Sequence, residues 1–196
     1  MGRNYLASLD TLTRDPSVAQ VLRLIDRNLE HAIALTAARR FNPGTREIDI
    51  AEVVAEAGEH TVSPPDIVVE RSLGSGGALV IRGDRHELFR CLDNLLGNAL
   101  KFARTRVRLS LSGRDGVVRV AVDDDGPGLG ADADYTAVWS AHSTKHRHTG
   151  QSGTGLGLSI VRRIVEEHGG TVFAQPSNLG GACFGFTLRL VEPDES

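Results

Sequence analysis

The apolar residues of the first forty positions follow a different pattern from those of the rest of the chain, and that difference limits what the chain can fold into. Val18, Leu22, Ile25, Leu29 and Ala32 recur at intervals of 4, 3, 4 and 3, the seam of a helix that packs lengthwise against other helices. Asp15-Pro16 offers an N-cap followed by proline at the first helical position. Asn42-Pro43-Gly44 stops the helix and marks a linker. Leu6, Leu9 and Leu12 add only a short helical end, so one amphipathic helix is left unable to bury both sides of its seam. A partner chain or a further helix is implied.

After the linker the pattern is mixed. Ile48-Asp49-Ile50 leads into an apolar-periodic helix over 51–57, and strand-like runs follow at 67–71 and 78–82. Ser63-Pro64-Pro65 and Gly74-Ser75-Gly76-Gly77 break those runs. Residues 86–103 form a long helix with Leu88, Leu92, Leu95, Leu96 and Ala99 on its buried side. The segments 107–111 and 117–122 alternate in polarity around Arg114-Asp115-Gly116, a hairpin turn. A polar loop over 126–153 is too long for a mere connector. A helix over 156–168 and strands at 171–174 and 183–190 close the chain.

Composition narrows the function classes. With 196 residues, 40% hydrophobic and 24% charged, the chain can bury a real core. A formal charge of −3 excludes a basic nucleic-acid-coating surface as its main theme. Two cysteines, Cys91 and Cys183, each in an apolar run, read as buried thiols in a reduced compartment. No apolar stretch reaches the ~18 residues that cross a bilayer, and Met1-Gly2-Arg3-Asn4 starts no signal peptide. A soluble, cytoplasmic chain without membrane contact is expected.

Three motifs converge on a nucleotide. In Asn94-Leu95-Leu96-Gly97-Asn98-Ala99-Leu100-Lys101-Phe102, a helix places Asn94, Asn98 and Lys101 at i, i+4 and i+7 on one face. Amides and an ammonium there suit metal and phosphate oxygens, or cap neighbouring backbone. Asp123-Asp124-Asp125-Gly126-Pro127-Gly128-Leu129-Gly130 ends an apolar strand. A buried carboxylate there can accept from an exocyclic amine and so read adenine, with glycines admitting close backbone; an ordinary acidic turn is the alternative. Gly153-Thr154-Gly155-Leu156-Gly157-Leu158-Ser159-Ile160 runs straight into a helix whose first N–H groups favour a polyphosphate. A dinucleotide fingerprint would need different spacing and a preceding strand.

In this order the three motifs resemble the ATP-binding catalytic domain of sensor histidine kinases, within the family that includes gyrase, the mismatch-repair ATPases and the heat-shock chaperone. The resemblance covers about 47 to 191 and implies an α+β fold. That fold is a two-layer α/β sandwich, with a mixed, mostly antiparallel sheet carrying three helices on one face, plus an N-terminal helical segment. It divides the chain into 1–44, a truncated dimerisation segment and linker, and 45–196, the ATP-binding domain. It implies ATP and Mg2+ as ligands, with Asn98 as magnesium ligand, Asn94 its neighbour, Lys101 on phosphate and Phe102 near the nucleoside. Asp124 would hold the adenine amine, with Gly126 and Gly128 beneath it. Gly153, Thr154, Gly155, Leu156 and Gly157 would surround the phosphates. Ser143-Thr144-Lys145 resembles a lid motif that would bring Lys145 to the γ-phosphate, and Gly180-Gly181 resembles the last glycine pair. Val138-Trp139 stands where two spaced phenylalanines are usual.

One position separates the branches of the family. Members that hydrolyse ATP, and anti-sigma-type kinases, resemble one another in a glutamate four residues before the magnesium asparagine. Here Asn94 stands there, and an amide takes no proton at neutral pH. Transfer to a histidine is therefore favoured over hydrolysis, since positioning and charge neutralisation carry most of that reaction. A non-catalytic phosphotransfer scaffold and an ATP hydrolase are the alternatives. No phosphoacceptor motif is present: His86 and His31 read as surface histidines, and His142, His146 and His148 as too few fixed ligands for zinc. The resemblance therefore implies an acceptor histidine outside this chain, a response-regulator receiver domain as partner, and a homodimer through the N-terminal helices.

Overall fold

Capping aspartates and one tight hairpin set the local geometry. The computed structural model describes residues 46–74, 78–130, 134–140 and 157–191, all within one of the chain's two units, Phe41–Ser196. Strand β1 (Glu47–Asp49) runs into helix α1 (Ile50–His60), where Asp49 accepts from the Ala51 N–H at 3.0 Å. Strands β2 (Val68–Leu73) and β3 (Val80–Arg82) precede helix α2 (Arg85–Phe102), capped by Asp84, which accepts from His86 and Glu87 N–H. These side chains satisfy N–H groups that a helix start leaves unpaired.

Strands β4 (Arg106–Arg114) and β5 (Val117–Asp124) join through Asp115 and Gly116, with φ of 51° and 73°. Positive φ at both central residues is the hairpin turn that matches strand twist. A short 3-10 turn (Ala137–Trp139), helix α3 (Gly157–Glu167) and strands β6 (Thr171–Pro176) and β7 (Ala182–Arg189) complete the described part.

The strands order as β2-β4-β5-β7-β6, parallel at β2–β4 and antiparallel elsewhere. The three helices cover one face: α1 packs on β2 and β4, α2 on β4, β5 and β7, and α3 on β6 and β7. Between them lie Val107, Leu109, Val118, Val120, Val122, Phe184 and Phe186, facing Val53, Leu92, Leu95 and Ile164. This is the expected two-layer α+β sandwich. On the other face Arg108 pairs with Glu70 at 2.9 Å, and Arg119 stacks 3.7 Å from the Phe173 centroid, a cation–π contact.

Several details differ from the sequence reading. Ile48-Asp49-Ile50 is not only a leader into the helix, since β1 pairs antiparallel with β3 in a separate two-stranded ribbon, Ile48 opposite Ile81. Helix α1 continues past 57 to His60, because Ala57 still packs into the core and His60 folds back on the Glu56 carbonyl. Trp139 packs edge-on to Phe184 at 5.8 Å and is buried, so it belongs to the core. Cys91 and Cys183 are buried free thiols, as expected. Among the described residues no helix is long and apolar enough to cross a membrane, and no group of three His, Cys, Asp or Glu is placed to hold a metal ion.

Candidate nucleotide site

Strand alternation decides which of three consecutive aspartates turns inward. Val118, Val120 and Val122 face the core, so Asp124 follows them while Asp123 and Asp125 point elsewhere. Asp124 is 2% exposed, yet its Oδ1 accepts from Gly126 N–H at 2.8 Å and Ala182 N–H at 3.2 Å. No donor among the described residues reaches Oδ2. Burial pushes the Asp124 carboxyl above the usual carboxylate range, the two N–H groups pull it down, and the neighbouring Asp125 and Asp123 charges push it up again. The result is a fixed carboxylate with one oxygen committed to backbone and one left for an outside donor.

Glycines make that arrangement possible. A β-carbon at Gly126 would overlap the Phe102 carbonyl oxygen, and one at Gly181 would overlap Asp124 Oδ1. Gly128 has φ of 68°, a left-handed conformation that glycine adopts without strain. The end of α2, the turn after β5 and the turn before β7 therefore meet around one carboxylate. Phe102 lies at this meeting point, and Lys101 Nζ sits 5.0 Å from its ring centroid.

The amides lie further up α2. Asn94 is buried, and its Nδ2 donates to the Arg90 carbonyl at 2.9 Å. A β-carbon on Gly157, the first residue of α3, would lie 3.0 Å from Asn94 Oδ1. The structure thus brings the asparagine motif against the start of the helix that the glycine-rich motif enters. Asn98 is half-buried, between Asn94 and Lys101 along the helix. Eight residues separate Asn94 from Phe102, about 12 Å along the axis. Lys145, Gly153, Thr154, Gly155, Leu156, the histidines at 142, 146 and 148, and the helix expected over 16–40 lie outside the described residues.

Several residues were not singled out by the sequence. Asp125 accepts from Arg104 N–H, Thr105 N–H and Thr105 Oγ1–H, the last at 2.7 Å. Burial works against this carboxylate, but those bonds hold it well below the usual carboxylate range. Ser177, also buried, donates to Asp123 Oδ1 at 2.8 Å and accepts from Leu179 N–H at 3.0 Å. Ala182 contributes only its N–H, which no sequence motif encodes. The alternation of Val118, Val120, Val122 and Asp124 was a signal for Asp124 on its own; nothing local marks Ser177.

A five-stranded mixed sheet under three helices, with a carboxylate set among glycines at a strand end, defines a class of nucleotide-binding protein. Residues 83–192 match the family described as histidine kinase-, DNA gyrase B- and HSP90-like ATPase, and the chain belongs to that family. The sensor protein kinase CarS of Pseudomonas aeruginosa is 33% identical over 192 residues, which cover 94% of this chain and 42% of that protein. The sensor protein RstB of Escherichia coli is 30% identical, covering 94% of this chain and 42% of its own length. This chain thus spans less than half of either relative. Among solved structures, full-length ShkA in complex with AMPPNP superposes with a TM-score of 0.68 at 28% identity, over 97% of this chain and 40% of that one. The mycobacterial sensor histidine kinase MprB gives 0.65 at 25% identity, over 76% of this chain and 99% of that one.

Proposed function

We propose that this chain is the ATP-binding catalytic part of a sensor histidine kinase. It holds Mg·ATP and delivers the γ-phosphoryl group to a histidine outside these 196 residues, for relay to a response-regulator aspartate. The half-committed carboxylate of Asp124 is the observation that carries this reading, because an acceptor oxygen fixed in a glycine-lined recess suits the adenine 6-amine.

Phe102 would lie beside the nucleoside, and Lys101 and the 153–157 glycine run would meet the phosphates. Asn98 would offer its amide oxygen to magnesium, a hard donor of the kind that ion accepts alongside water and phosphate oxygens. Bound magnesium would neutralise charge on the β- and γ-phosphate oxygens. An imidazole nitrogen attacks the γ-phosphorus, the bond to the β,γ-bridging oxygen breaks, and ADP leaves. Asn94 offers no base, so water gains no comparable help. That amide distinguishes the kinase reading from hydrolysis. The same reading implies a cytoplasmic site, a receiver-domain partner, and dimerisation through residues 1–44 as a unit separate from 45–196.

Calorimetric titration tests the proposal. Mg·ATP and Mg·ADP are expected to bind below millimolar concentration with little steady turnover, and Lys145→Ala to weaken ATP more than ADP. Failure of both nucleotides to bind at millimolar concentration would establish the scaffold reading. Steady hydrolysis that disappears in Asp124→Asn would establish an ATPase.

A further inference from the structure

The recess that holds Asp124 is completed by a turn with its own lock. Residues 177–181 close through Ser177 N–H to the Gly181 carbonyl and Gly180 N–H to the Ser177 carbonyl, each at 3.0 Å. Gly181 N–H donates to the Asp124 carbonyl at 3.1 Å, and the next residue, Ala182, supplies one of the two N–H groups on Asp124 Oδ1. The turn therefore leads directly into the donor that orients the carboxylate, and its register against β5 sets where Oδ2 points.

One side chain ties that turn to β5. The Ser177 hydroxyl accepts from Leu179 N–H inside the turn and donates across to Asp123 Oδ1 on β5. Asp123 and Asp124 are adjacent, so the lock grips the strand one residue from the carboxylate it would orient. Ser177 is buried, and both roles of its hydroxyl are filled within the protein; it has no direct part in binding.

We infer that Ser177 is a positioning residue for base recognition, fixing the Ala182 N–H against Asp124 so that Oδ2 meets an exocyclic amine at the purine 6-position. This deepens the proposed function and rests on Asp124 being the base-reading group. A residue that merely braced the fold would affect every nucleotide alike. A residue that orients Oδ2 affects only those carrying the amine.

The test compares ATP with purine riboside triphosphate, which lacks the 6-amino group, on the full chain. Ser177→Ala should weaken ATP about tenfold, the effect of one misaligned hydrogen bond to a charged group, and leave the deamino nucleotide unchanged. Ser177→Thr, which keeps the hydroxyl, should restore the preference for ATP. Asp123→Ala removes the acceptor from the other side and should produce the same selective loss, which keeps the idea testable if Ser177→Ala does not fold. Equal weakening of both nucleotides, or no weakening of either, overturns the inference while leaving the nucleotide site intact. A wild-type chain that binds neither nucleotide overturns the site itself.

Discussion

Asp123, Asp124 and Asp125 are chemically identical neighbours with three different partners. Asp123 meets a serine across the sheet end, Asp124 meets backbone N–H groups in the recess, and Asp125 meets the connection between α2 and β4. Their substitutions should separate accordingly. Asp124→Asn replaces one acceptor oxygen by an NH2 donor and should weaken ATP by at least about tenfold with no fall in melting temperature, because burial already disfavours the charge there. Calorimetry together with a thermal melt reads both quantities. Asp125→Ala should do the reverse. It strips partners from Arg104 and Thr105 at exposed hydrogen bonds and should cost about 0.5–1.5 kcal/mol of stability, measured by urea unfolding. Because the folded Asp125 carboxyl lies below its ordinary value of 3.8, its contribution is present above that pH and is lost as the pH falls further.

At the scale of elements, α2 and α3 are joined at their far ends by a histidine. His168 follows α3; its Nδ1–H donates to the Ile164 carbonyl at 2.7 Å, and its Nε2 accepts from the N–H of Asp84, the α2 cap, at 3.1 Å. Gly83 lets the ring approach, since a β-carbon there would lie 2.5 Å from His168 Cδ2. Both contacts need the neutral Nδ1–H tautomer, and protonation would set a ring N–H against a backbone N–H. Burial lowers the His168 pKa, while the Ile164 carbonyl and the charges of Asp84, Glu87 and Glu167 raise it, burial prevailing. With the folded value below the ordinary 6.5, the unfolded chain binds the extra proton, so stability falls as the pH drops from 6.5 toward the folded value. Melting curves between pH 7.5 and about 5 should show this slope in the wild type and a shallower one in His168→Gln. Equal slopes would remove the histidine from the pH response.

On the scale of the whole molecule, the site exists because distant segments converge on the end of β5. Pairing of β5 with β7 brings Gly181 and Ala182 to Asp124, 57 and 58 residues apart in sequence. Gly181→Ala should therefore abolish nucleotide binding and lower the melting temperature, since its β-carbon would strike Asp124 Oδ1. A variant that retained wild-type affinity would show that the turn has room to move. Much of this architecture was legible in the sequence. The Leu88, Leu92, Leu95 and Leu96 stripe and the Asp-Gly turn each announce local geometry, and so does the valine alternation that leads to Asp124. These signals depend on neighbours within a few residues. β1 was not legible as a strand, because three residues carry too little pattern and only pairing with β3 defines them.

The sequence by itself determined the order of the three helices and of strands β2 to β7, the shared helix face of Asn94, Asn98 and Lys101, and the parity that turns Asp124 inward, because each follows from a period of 3.6 or 2 residues. The tertiary structure decided that Trp139 is core, that Gly157 abuts Asn94, and that Asp124 has one oxygen bound and one available. It also decided that Ser177 locks the turn above it. Those outcomes depend on strand order and register, which set the distance between residues that no local period relates.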